Sequence, residues 1–156
     1  MRRALVSFFG MGYLPIAPGT WGSFGAGTVF LALWWSLGGV SWWVLLTLIA
    51  AACVINVALG GWAVRHYGSK DPKPVVIDEV AGQWVSLLFV PFNDHNWIWV
   101  SLAAFFFFRL FDVLKLPPAR QLEALPTGTG ILCDDLAAGI QTNVVLQLIF
   151  RVLVRT

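Results

Sequence analysis

The chain has 156 residues, of which 58% are hydrophobic and only 12% charged, against about 25% charged in ordinary soluble domains. Nine Trp, twelve Phe and a positive mean hydropathy exclude a conventional soluble core, and a net charge of +2 excludes a general nucleic-acid binder. The expectation is an all-α, polytopic membrane helical bundle with about five helices, a single membrane-embedded domain over residues 1–156.

Met1-Arg2-Arg3 opens the chain, followed by a short apolar run, Ala4 to Phe9. No cleavage site follows it, so the segment reads as retained. Next comes Gly10 to Ser23, GMGYLPIAPGTWGS, a Gly/Pro-rich stretch leading into a helix that starts near Thr20 or Ser23. Such a turn at a helix N-terminus presents backbone N–H groups to an anion. It lacks the Lys of a Walker loop, so nucleotide binding is not implied. An ordinary helix cap explains the same residues equally well.

A span needs roughly 20 apolar residues. Five segments qualify: Thr20 to Leu37, Trp42 to Val64, Val75 to Phe92, Trp97 to Leu114 and Leu132 to Val154. Gly38-Gly39, the Asn93 to Asn96 turn and a loop with Pro117, Pro118 and Pro126 separate them. With the N-terminus inside, Arg2, Arg3, Arg65, Lys70, Lys73, Lys115 and Arg120 all fall in the cytoplasm, as the positive-inside rule requires. Arg151 and Arg155 disagree, and a fifth segment that does not cross fully would account for them. Trp34, Trp35, Trp42, Trp43, Trp97 and Trp99 group at the opposite ends, as an interfacial belt.

Five of the eight carboxylates lie inside or at the rim of these apolar runs: Asp78 and Glu79, Asp112, Asp134 and Asp135. A charge at the bilayer centre costs roughly 2.5–3.5 kcal/mol, so such a set points to a cation or proton to be held. The topology puts all five on one rim, from three separate helices. Carboxylate oxygens without a Cys/His set suit Mg²⁺ rather than Zn²⁺. Capping of helix starts is the bland alternative, and it explains one Asp of each pair but not two. Ala81-Gly82 and Ala138-Gly139 follow the two acidic pairs and allow another helix to approach closely. Arg109, Asp112 and Lys115 recur every third residue, near one helical face. Either Arg109 and Asp112 form an internal pair with Lys115 snorkelling, or Arg109 and Lys115 hold phosphate oxygens while Asp112 holds metal. His95 carries no assigned role, His66 reads as a surface residue with a general base as the weaker alternative, and Cys53 and Cys133 read as packing residues.

Four segments in this order, GYLPIAPGTWGS, VIDEVAG (Val76 to Gly82), FRLFDVLK (Phe108 to Lys115) with Pro117-Pro118, and GTGILCDDLAAG (Gly128 to Gly139), resemble the phosphatidylglycerophosphatase A family. The resemblance implies a Mg²⁺-dependent phosphatase of the bacterial inner membrane that converts phosphatidylglycerophosphate to phosphatidylglycerol and phosphate. Carried onto this chain, it points to Thr20, Asp78, Glu79, Arg109, Asp112, Asp134 and Asp135. Combined with the residue pattern, the expected site lies at the cytoplasmic rim. There Asp78, Glu79, Asp112, Asp134 and Asp135 serve as metal ligands and catalytic acids or bases, and Thr20, Arg109 and Lys115 bind the phosphate. Attack by a metal-polarised water and a phospho-aspartate intermediate both remain open. Two other classes are weighed. A CDP-alcohol phosphotransferase also clusters aspartates at the rim, but the Asp-Gly followed by Ala-Arg of that class is missing. A cation- or proton-coupled transporter would spread its acids through the bilayer depth.

Overall fold

The computed structural model describes residues 1–117, 119–122 and 129–153, and every regular element among them is helical. A five-residue helix α1 (Arg2–Val6) leads through a 3-10 turn (Met11–Tyr13) into α2 (Pro18–Leu37). Then come α3 (Trp42–Tyr67), α4 (Ile77–Ser86), α5 (Trp97–Leu114), the short α6 (Ala119–Leu122) and α7 (Thr129–Gln147), which runs on as π-helix over Leu148–Leu153.

Local chemistry sets the ends. Pro18 occupies the first turn of α2, where its missing N–H costs nothing. Gly38 and Gly68 close α2 and α3 with φ of 67° and 68°, which glycine adopts without strain. Ser41 caps α3 by accepting from the Trp43 N–H. Asn93 and Asn96 accept each other's backbone N–H across the turn before α5.

The third predicted span is corrected. Instead of a helix from Val75 to Phe92, α4 has ten residues, about 15 Å, half the thickness of a bilayer core. It stops inside an apolar run because polar side chains of α7 and its extension take the carbonyls that further helical turns would use. Asn143 Nδ2 donates to Val85 O, Ser86 O and Leu88 O at 3.3, 3.2 and 2.6 Å, and Arg151 Nη2 donates to Phe89 O at 2.6 Å. Phe89 then turns the chain with φ of 58°. Arg151, the residue that disagreed with the charge rule, thus holds a chain reversal. Arg155 and the end of the fifth predicted segment at Val154 lie outside the described residues.

α4 is the centre of the bundle, packed on α7, α3 and α2, with eight of its ten residues buried. Gly82 and Gly139 make the α4–α7 crossing, since a Cβ on Gly139 would overlap Gly82 O. Trp84 Nε1 donates to Ala26 O at 3.0 Å, tying α4 to α2. The outer helices are built differently. Only 17% of the apolar window of α3 and 22% of that of α5 is buried. A soluble core helix would be mostly covered, and these two are long and apolar enough to cross a membrane. Trp35 and Trp99, 81% and 67% exposed, stand beside the stacked pair Trp34 and Trp97 at one end of the bundle. Asp78, Glu79, Asp112, Asp134 and Asp135 occupy the other.

Candidate active site

Three helices and one helix start converge at the end opposite the tryptophans. The first turn of α4 supplies Asp78 and Glu79, where the helix dipole favours negative charge. The Glu79 N–H donates to Asp78 Oδ1 at 3.2 Å, which holds that carboxylate against its own helix. α7 supplies Asp134 and Asp135, but not as caps. The helix begins at Thr129, so both sit in its second turn, and capping does not account for either. They are 4% and 3% exposed, and Asp78 is 4% exposed.

Asp78, Glu79 and Asp135 form a trio in which one carboxylate oxygen of each lies within 4.8 Å of the other two. Oxygens bound to one hard cation at 2.0–2.6 Å are at most about 5 Å apart, so the trio fits one. Glu79 Oε2 adds a second sign, being buried with no hydrogen-bond partner. A buried acceptor without a donor costs about 1–3 kcal/mol, more when charged. A bound cation removes that cost.

Two cation–carboxylate pairs flank the trio. Arg109 Nη1 lies 2.7 Å from Asp112 Oδ2 and also donates to Ser23 Oγ at 3.4 Å. Lys115 closes α5 with φ of 47° and places Nζ 3.0 Å from Asp134 Oδ2. Arg109 and Asp112 both act on Glu79 across this gap, with opposite sign. The five carboxylates and two cations sum to −3 (−5 + 2).

The start of α2 closes the remaining side. Gly19 lies so close that a Cβ there would overlap Glu79 Oε1 and stand 3.3 Å from Arg109 Nη1. Thr20 is half-buried in the same turn, and its N–H donates to Ala17 O at 2.9 Å. That amide is therefore spent within the turn, and the Thr20 hydroxyl is the polar group this residue can offer. Among the expected residues, then, Asp78, Glu79 and Asp135 share one centre. Asp112 and Asp134 stand beside it as partners of Arg109 and Lys115. Sequence reasoning missed Gly19, Ser23 and Asn143. A polar amide inside an apolar span was a usable signal for Asn143, whereas Gly19 and Ser23 were visible only as parts of a motif. His66 is exposed and stacked on Trp62, away from these groups.

Comparison with known proteins meets this geometry. The sequence profile of the family Phosphatidylglycerophosphatase A matches residues 4–150. The chain belongs to the phosphatidylglycerophosphatase A family. Two relatives bear that name: one from Escherichia coli, 33% identical over 90% of this chain and 78% of its own, and one from Haemophilus influenzae, 37% identical over 88% and 82%. A third, from Bacteroides thetaiotaomicron, is 38% identical over 88% of this chain and 86% of its own, and is named as a candidate phosphatidylinositol-3-phosphatase. No solved structure matches the chain. Membership in the phosphatidylglycerophosphatase A family makes this chain an enzyme, a phosphatase of lipid metabolism. The segments that carried the resemblance are those that converge on the trio, from α2, α4, α5 and α7.

Proposed function

We propose that the chain is a single-domain, Mg²⁺-dependent, multi-pass enzyme of the bacterial inner membrane. It hydrolyses the terminal phosphate monoester of phosphatidylglycerophosphate, at the cytoplasmic end of the bundle. The observation that carries this reading is the trio Asp78, Glu79 and Asp135, with its orphaned Glu79 oxygen, set between two cationic side chains. Lysine and arginine distribution favours that end on the cytoplasmic side, where a lipid head group lies.

The residues divide by role. Asp78, Glu79 and Asp135 would hold Mg²⁺, and Asp112 and Asp134 would support that site from beside it. When bound, Mg²⁺ supplies positive charge against the −3 of the bare side chains and polarises a phosphoryl oxygen. Arg109 donates to non-bridging phosphoryl oxygens through a planar fork that Asp112 and Ser23 already orient. Lys115, held by Asp134, adds a point charge. Thr20 offers its hydroxyl. In hydrolysis a P–O bond forms to water as the P–O bond to glycerol breaks. The proton from water passes to a carboxylate of the cluster, and the departing alkoxide takes one up. Attack by an aspartate carboxylate, followed by hydrolysis of the acyl phosphate, is the alternative order, and solvent oxygen-18 in a carboxylate would mark it.

The name of the Bacteroides relative favours a second substrate, phosphatidylinositol 3-phosphate, which shares the monoester on a lipid head group. The test is inorganic phosphate release from each lipid by purified protein in detergent, with Mg²⁺ and then with chelator. Mg²⁺-dependent release from phosphatidylglycerophosphate supports the proposal. Release from the inositol lipid alone reassigns the substrate, and release from neither by folded protein overturns the reaction.

A further inference from the structure

An apolar groove of about 260 Å³ runs between α2 and α5, walled by Phe24, Gly27 and Leu31 on one side and Leu102, Phe105 and Phe106 on the other. We infer that this groove seats one fatty acyl chain of the lipid whose phosphate Arg109 holds, an inference that rests on the phosphatase reading above.

Its position is the first argument. Phe24 follows Ser23, which bonds Arg109, and Phe105 precedes Arg109 by one turn of α5. The rings of Phe24 and Phe105 meet edge to face at 6.3 Å. The groove therefore begins where the polar site ends. From Arg109 to Leu102 is about 10 Å of helix and from Ser23 to Leu31 about 12 Å, within the roughly 15 Å of one leaflet's hydrocarbon.

Its chemistry is the second. The two hydroxyls in the lining turn away from it. Thr28 Oγ1 donates to Phe24 O at 2.9 Å, and Ser101 Oγ donates to Trp97 O at 2.7 Å. Both protons are spent on the helices that carry them, which leaves a hydrocarbon wall.

Gly27 is the third. Gly19, Gly22 and Gly25 each press against neighbouring atoms that a side chain would strike, whereas a Cβ on Gly27 meets nothing within 4 Å. Glycine costs a helix about 1 kcal/mol relative to alanine, and no packing contact explains that cost here. The open width of the groove does. A recess of about 240 Å³ on another face, lined by Leu5, Ala51 and Ile55, has no wall from α5, the helix that carries Arg109, and so serves as a control.

The experiment compares phosphate release from dioleoyl and dibutyryl phosphatidylglycerophosphate by wild type, Gly27→Trp, Leu102→Trp and Ala51→Trp in detergent. Filling the groove removes contact with several methylenes, so Gly27→Trp and Leu102→Trp should raise KM for the dioleoyl lipid about tenfold or more. Their kcat, and both constants for the dibutyryl lipid, should stay at wild-type values, and Ala51→Trp should match wild type throughout. A phosphatidylglycerol with a photoreactive group at its acyl end should label the peptide containing Phe105 in wild type and not in Gly27→Trp. Unchanged dioleoyl kinetics in both groove variants would overturn the inference. So would equal loss with both lipids, or a change of oligomeric state without any chain-length effect, which would make the groove a contact with a second copy. Phosphate release from neither lipid by wild type removes the reaction, and labelling of the Phe105 peptide then decides the groove separately.

Discussion

Gly19→Ala adds one carbon where α2 meets the carboxylates. The new Cβ would overlap Glu79 Oε1 and stand 2.9 Å from Glu79 Cδ and 3.3 Å from Arg109 Nη1. Carbon atoms pack at about 3.5–4.0 Å, so the carboxylate must retreat by about 1 Å. The far end of a flexible side chain can do this cheaply, and the fold should survive. Alanine also favours the helix by up to about 1 kcal/mol over glycine. The site has no such latitude. A displacement of about 1 Å at a catalytic group costs on the order of 100-fold in rate, or about 2.7 kcal/mol of barrier. The assay is phosphate release across a Mg²⁺ titration, paired with a thermal melt of the same preparation. The variant should melt at or above the wild-type temperature, lose about 100-fold in kcat/KM and need more Mg²⁺ for half-saturation. Gly61→Ala, on the exposed face of α3, where a Cβ makes only an ordinary 3.6 Å contact with Arg65 Nη1, is the control and should keep the wild-type rate. Full activity of Gly19→Ala at the wild-type Mg²⁺ requirement would refute the placement of Glu79 in the site.

Other expectations follow the same geometry. Chelation should abolish phosphate release, with recovery on adding Mg²⁺, and Asp135→Asn should raise the Mg²⁺ concentration needed by at least about tenfold, a typical loss for a coordination change. Gly82→Ala places a Cβ 2.5 Å from Asp135 O and 2.6 Å from Phe108 Cε2. Backbone and a buried ring cannot both yield, so stability should fall by about 1–3 kcal/mol, read as a lower melting temperature. Asn143→Leu removes the donor to three carbonyls beyond α4. It should cost about 1–3 kcal/mol for each carbonyl left without a partner and speed amide exchange at the end of α4.

Much of this arrangement is legible in the residues themselves. Long, predominantly apolar runs mark α2, α3 and α5 nearly to the residue, because glycine, serine or asparagine stands at most of their ends. The acids of α4, α5 and α7 meet at one end because alternating direction through the bundle puts them there. α4 was illegible for a definite reason. Apart from Ser86 the second half of Val75 to Phe92 is apolar, and hydropathy carries no trace of the distant side chains, Asn143 and Arg151, that bond the carbonyls where the helix ends. Partner choice within the site was equally hidden. Spacing placed Arg109, Asp112 and Lys115 on one face, but only the left-handed turn at Lys115 sends its ammonium across to Asp134.

The Gly82–Gly139 crossing gives the site an asymmetric compliance. Asp78 and Glu79 belong to α4 and Asp135 to α7, and where these helices cross, main chain rests on main chain with no side chain between to compress. Steric repulsion rises steeply at that separation, while separation itself is opposed only by shallow dispersion forces. Heat, a tilt of the surrounding helices or a change of detergent can therefore spread the three carboxylates but cannot crowd them. Loss of ion affinity, rather than a shift to a smaller ion, is the failure this geometry builds in.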